Sequence, residues 1–389
     1  MAEKRSKTKL SIIIGTVCAT MLTLSGPAAS AQTTEQDHPA TLAALKAFQR
    51  SAGPGAAVHA GDGNDTWTLS VGTGTVNANR PIQSDEHFRI ASQTKTFTAA
   101  VVLQLVDEGE VALDDPIEDY LPGVVTGDGY DGTRITVRHL LQHTGGLAPY
   151  APHPHWLGQK PPANPDGTYD LAASVRKGLS YAPVSAPGAG WTYSNTGYFI
   201  LGMLIEEVTG MAVHEAITGR IIEPLGLNRT AFPAPGDRAL PTPAVNGYEG
   251  IRVGGFFAWR SAPTYDPSLY SSVGAMTSTL EDMTEFYRAL TDGKVVSPAG
   301  LAEMQKIRDM GDSVRGYGLG LMRHELSCGG EAWGHGGDVP GYSTYTLVTE
   351  DGRHAALVTN AGFVVISSNM QLRLDLMDTA LCEGQPPRS

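Results

Sequence analysis

The sequence predicts an α/β fold, an antiparallel β-sheet flanked by helices, with a mostly α-helical lobe inserted in it. Three observations predict it. Hairpin patterns stand near both ends of the chain, a long stretch between them alternates short helical patterns with Pro/Gly loops, and one helix at the boundary is apolar almost all round. This arrangement places an α/β lobe at about 39–90 and 271–382 and a helical lobe at about 91–270.

The first 31 residues carry Lys4, Arg5, Lys7 and Lys9, then an apolar run from Leu10 to Leu24, then Ala29-Ser30-Ala31. That order is the pattern of a secretory signal cleaved after Ala31, with an uncleaved anchor as the alternative. It predicts a secreted chain of residues 32–389 with no stable membrane anchor. The formal charge is −12 and becomes about −15 without that segment, which argues against nucleic acid or an anionic membrane as partner. Cys18 leaves with the signal, so Cys328 and Cys382 remain as an even pair. An oxidising compartment favours a disulfide between them, with two free thiols as the alternative.

After a polar linker, Thr41–Gln49 reads as a helix. Gly55–His59 and Thr66–Val71 flank Asp62-Gly63-Asn64-Asp65 and read as a β-hairpin. From Phe97 to Val106 only Thr98 and Gln104 are polar, which predicts a buried helix stopped by Gly109. Thr136–His143 and Tyr198–Val208 read as helices, the second ended by Gly210. Late strand character appears in Tyr342–Thr349 and Arg353–Thr359, joined through Asp351-Gly352, and a last helix runs from about Val365 to Leu381. Gly145–Thr168 is a long Pro/Gly-rich loop of the kind that shapes sites.

Three groups could carry chemistry. Ser92 stands at the mouth of the buried helix, where unpaired backbone N–H groups favour negative charge, and Lys95 follows at i+3 on the same face. A desolvated lysine there could take the serine proton or tune the group that does. The Ser-x-x-Lys spacing also occurs at Ser6-Lys9 and Ser174-Lys177, and Ser92 could equally be a plain cap. Tyr193-Ser194-Asn195 precedes a helix; its phenol, whose anion a lysine ammonium would favour, could shuttle a proton, and its amide could hold a substrate carbonyl. A loop anchored by an aromatic and an amide is the alternative. Trp333-Gly334-His335-Gly336-Gly337-Asp338 opens a run into the late strands, where glycines let a substrate backbone approach a sheet edge. His59-Ala-Gly61 and His143-Thr-Gly145 share its His-x-Gly form.

The conjunction of Ser92-x-x-Lys95, Tyr193-x-Asn195 and His335-x-Gly337, in that order, resembles the penicillin-recognising serine hydrolases. Within them it looks most like the secreted D-alanyl-D-alanine carboxypeptidases of the Streptomyces type, related in fold to class C β-lactamases. Leu103–Gly109, Tyr317–Leu321 and Leu326–Gly329 carry the likeness further, and the cysteine pair matches it. The resemblance implies an acyl-enzyme on Ser92, proton handling by Lys95 and Tyr193, and an acyl-side hold by Asn195. It implies that His335 supplies the electrostatics a lysine provides in β-lactamases, that Gly336, Gly337 and Asp338 line the substrate strand, and that the Ser92 and Asp338 backbone N–H groups form an oxyanion hole. It implies no cofactor and no metal; His153-Pro-His155 reads as a loop feature. The implied partner is a small or cell-wall peptide, with β-lactams as acylating agents. D-aminopeptidase, amidase, esterase, β-lactamase and non-catalytic penicillin-binding readings stand beside the carboxypeptidase.

Two departures bear on substrate. Where those carboxypeptidases have a hydroxyl residue between His and Gly and an arginine six residues before the first cysteine, this chain has Gly336 and Met322, with Arg323 adjacent. Asp338 replaces a threonine after the motif. Losing that grip on a terminal carboxylate weakens its recognition by about 2 to 5 kcal/mol in comparable sites.

Overall fold

The computed structural model describes residues 37–385 apart from 64, 128, 154–158, 254–255, 312–314 and 363–367. The expected signal segment, residues 1–31, lies outside the described residues, as does His155.

Among the described residues, eight strands form one antiparallel sheet. They are β1 (Gly55–Gly61), β2 (Thr66–Gly72), β3 (Arg308–Asp309), β4 (Arg315–Tyr317), β5 (Met322–Glu325), β6 (Glu331–Val339), β7 (Tyr342–Thr349) and β8 (His354–Thr359). Their order across the sheet is β2-β1-β8-β7-β6-β5-β4-β3. The N-terminal hairpin therefore joins the C-terminal strands through β1 and β8, with Ala56 opposite Thr359.

The central strands β1, β6, β7 and β8 are largely buried on both faces, and side chains in the sheet sort by alternation. Val58, Leu69, Leu347 and Leu357 point to one side, where helices α1 (Pro39–Ala52) and α2 (Ser368–Cys382) add Leu45, Phe48, Leu376 and Met377. Ala57, Val348 and Val358 point to the other, against the main core. Glu383 ties the first of these helices to the end of the second by accepting from the Ala40 and Thr41 backbone N–H groups and the Thr41 hydroxyl.

The apolar helix, Thr94–Asp107, is buried at all but a few positions and ends just before Gly109, whose φ is +81°. Phe97 stacks on Phe286 of the helix Leu280–Thr291, ring centroids 3.6 Å apart. Asn195–Thr209 packs alongside and stops at Gly210 with φ +67°.

The structure departs from the sequence reading in three places. The segment expected to be mostly helical also contains an antiparallel pair, Tyr248–Val253 with Phe256–Ser261, that was not anticipated. Strands β3 to β5 were not anticipated, being two to four residues long. The third is β6, whose Gly334, Gly336 and Gly337 depress strand propensity; it forms because β7 pairs along it from Ala332 to Val339. Among the described residues no single helix is long and apolar enough to cross a membrane.

Candidate active site

The chain enters the site along Phe88–Arg89, paired with Thr277–Ser278, and turns sharply at Ala91, whose φ is +53°. Ser92 sits in the one-turn 3-10 helix Ala91–Gln93 that runs into Thr94–Asp107, a turn ahead of the α-helix proper. The turn is held on both sides. Gln93 Nε2 donates to Thr344 Oγ1 at 2.8 Å, and the Ile90 N–H donates to Met276 O at 3.0 Å.

Lys95 Nζ donates to Ser92 Oγ at 3.1 Å and to Val273 O at 2.8 Å. It is fully buried, and burial holds its pKa well below the usual lysine value. The neutral amine is thus favoured, and it is the form that can accept a proton from the serine.

Tyr193 also hydrogen-bonds the Ser92 side chain, and its ring centroid lies 5.1 Å from Lys95 Nζ. Burial raises the pKa of this phenol, and the Asp338 carboxylate raises it further. The phenolate anticipated from sequence is therefore disfavoured, because desolvation penalises both members of a lysinium–phenolate pair. Burial favours the uncharged form of each.

Ser194 begins the helix Asn195–Thr209 and fixes this corner: its hydroxyl donates to Ala148 O at 2.7 Å and its N–H to His143 Nδ1 at 3.3 Å. Asn195 Nδ2 donates to Tyr150 O at 2.8 Å, so the amide N–H expected to hold a substrate carbonyl is engaged with the backbone, while its Oδ1 is buried without a partner.

His335 is buried, its ring nitrogens contacting Tyr317 Oη at 3.0 Å through Nε2 and Gly336 O through Nδ1. Since a carbonyl only accepts, Nδ1 carries the hydrogen and Tyr317 donates to Nε2. Burial lowers the His335 pKa to about 3. The imidazole is neutral, so it does not supply the positive charge of a lysine at this position.

Strand β5 pairs with β6 only as far as Gly334, leaving His335–Val339 without that neighbour. This edge meets a cavity of about 350 Å³ lined by Ser92, Tyr193, Asn195, His335, Gly336, Gly337 and Asp338. Tyr150, Met322, Tyr345 and two arginines, Arg315 and Arg373, are also on its wall. A second cavity of about 360 Å³, by Met203, Glu206 and Phe232, holds none of these groups.

Every residue singled out from sequence for catalysis or substrate contact lines this one cavity, except Lys95, which reaches it through Ser92. Cys328 and Cys382 are bonded to each other in the structure, their Cα atoms 5.6 Å apart, and neither lines the cavity. Arg323, adjacent to Met322, pairs with Glu325 and Glu331 and does not line the cavity.

Sequence reading assigned no site role to three contributors. His143, with φ +58°, packs its ring 4.3 Å from that of Tyr193. Tyr317 orients His335, and its place in Tyr317–Leu321 was the available signal. Arg373 comes from the last helix, where nothing in the sequence set it apart.

The Beta-lactamase family pattern matches residues 40–379. A D-stereospecific amidohydrolase from Streptomyces sp. superposes with a TM-score of 0.76 at 39% identity, covering 86% of this chain and 97% of that one. Esterase EstB of Burkholderia gladioli is 31% identical over 68% of this chain and 73% of its own length. Penicillin-binding protein 4* of Bacillus subtilis is 29% identical over 75% of this chain, which spans 64% of that protein. Fold, matched span and relatives agree, and the chain belongs to the β-lactamase family of serine hydrolases.

Proposed function

We propose that the protein is a Ser92 acyl-hydrolase acting on D-configured acyl donors, amides, esters or small peptides of cell-wall type. The observation that carries this reading is the 3.1 Å contact between Ser92 Oγ and a buried, charge-poor Lys95, with the Tyr193 phenol on the same oxygen. Ser92 Oγ attacks the carbonyl carbon as its proton passes to Lys95. The carbonyl oxygen takes the negative charge against the backbone N–H groups of Ser92 and Asp338. Collapse breaks the bond to the leaving nitrogen or oxygen, which receives a proton through the Tyr193 hydroxyl. Water then adds to the acyl-enzyme, releasing the acid and restoring Ser92.

The D-configuration is supported by the Streptomyces amidohydrolase at 39% identity. A D-Ala-D-Ala carboxypeptidase is the second reading, and a further arginine on the cavity wall, Arg315, favours it. Export rests on the pattern of residues 1–31, and N-terminal sequencing of protein from culture medium should begin at Gln32.

Mass spectrometry after incubation with a labelled penicillin tests the chemistry. An adduct is expected on the peptide containing Ser92, absent in Ser92→Ala and formed about 10²- to 10⁴-fold more slowly in Lys95→Met. No adduct, together with no hydrolysis of a D-amino-acid amide or ester, would end this reading.

A further inference from the structure

One face of β6 beside the Ser92 cavity carries two of the departures from the carboxypeptidase pattern, Gly336 and Asp338, and these two lead to Tyr345 and Arg373. A Cβ on Gly336 would lie 2.5 Å from two ring carbons of Tyr345. The ring thus fills the space in which that pattern has a hydroxyl side chain. On the same ring rests Arg373, its guanidinium carbon 5.1 Å from the centroid.

Arg373 Nη1 lies 3.2 Å from each Asp338 carboxylate oxygen and 2.9 Å from Ser343 Oγ. Its Nη2 lies 3.2 Å from Met370 Sδ, and its Nε is buried without a hydrogen-bond partner. The arginine side chain is 6% exposed and the aspartate 43%, so the cation stands behind and the carboxylate in front, both on the cavity wall.

We propose that Asp338 is a resident surrogate for a substrate carboxylate. Seated on Arg373 in the wall of the Ser92 cavity, it makes the Ser92 site select amides and esters and reject donors that end in a carboxylate. This rests on the acyl-hydrolase reading above and names the substrate class of that site. An arginine paired with a carboxylate has its strongest recognition mode already used. An incoming carboxylate would also meet the like charge of Asp338 in a partly desolvated cavity, where repulsion exceeds its value in water. A neutral amide or ester end meets neither obstacle.

The test compares kcat/KM for N-acyl-D-Ala-D-Ala, its C-terminal amide and a neutral D-Ala ester, using the full chain and the variants Asp338→Asn, Asp338→Ser and Asp338→Asn/Arg373→Met. The wild type is expected to prefer the amide. Either single substitution should raise the acid-to-amide ratio by about tenfold or more, mainly through KM, and the added Arg373→Met should return it to the wild-type value. Near-ultraviolet circular dichroism and thermal unfolding report that each variant is folded. With the fold intact, an unmoved ratio overturns the inference alone, and so does a gain that survives in the double variant, since it would place the carboxylate on Arg315. A wild type that neither turns over the amide and ester nor is acylated would remove the hydrolase reading and this one with it.

Discussion

Gly337 lies so close to the turn carrying Ser92 that a Cβ on it would stand 2.8 Å from the Ser92 backbone nitrogen and 2.3 Å from the Ile90 carbonyl oxygen. The obstructing atoms are backbone, so no rotation of a side chain relieves the contact. Gly337→Ala should therefore push β6 away from the nucleophile. Ester kcat/KM is expected to fall about 10²-fold, the effect of an ångström of misplacement in a catalytic array. Activity near wild type would show that strand and turn are not rigidly opposed.

His335 makes acid stability a second measurable consequence. Its folded pKa of about 3 lies below the ordinary 6.5, so the unfolded chain binds the proton first. The stability associated with the neutral ring is present above about pH 6.5 and is lost as pH falls toward 3. Urea unfolding at pH 7 and pH 4 should show the wild type losing on the order of 3 kcal/mol more than His335→Gln across that interval. Equal losses would place the titration elsewhere.

Cys328 and Cys382 close a loop with a sequence separation of 54 between the end of β5 and the last helix. If that bond forms in the native protein, its mass under non-reducing conditions should be about 2 Da below the dithiol mass. On the chain-entropy model, Cys328→Ser/Cys382→Ser should cost about 4 kcal/mol of stability. Two thiols titrating in the native protein would refute the bond and weaken the case for an oxidising compartment.

Legibility in the sequence followed the strength of local physics. The helix after Ser92 was readable because nearly every side chain from Phe97 to Val106 is apolar, and the β7–β8 hairpin because Asp351-Gly352 demands a tight turn. The strand carrying His335 was hidden, since its glycines contradict strand propensity and only pairing with β7 makes it one. The order Ser92, Lys95, Tyr193, Asn195, His335 was readable as a motif, but their protonation was not. Lysine and phenol look like an ion pair on paper, whereas burial favours the uncharged form of each. Arg373 was invisible for a different reason: its importance lies in meeting Asp338, 35 positions away, across a fold the helix itself does not encode.

The joint between β1 and β8 has a consequence in time. Ala56 finds Thr359 only after some 300 further residues have been added, which at about 5–20 residues per second takes on the order of 15–60 s of synthesis. Through that interval the inner edge of the first hairpin has no native partner and the floor beneath the nucleophile cannot be laid. Whatever handles the nascent polypeptide, whether a chaperone or a translocation channel, meets it as an open chain.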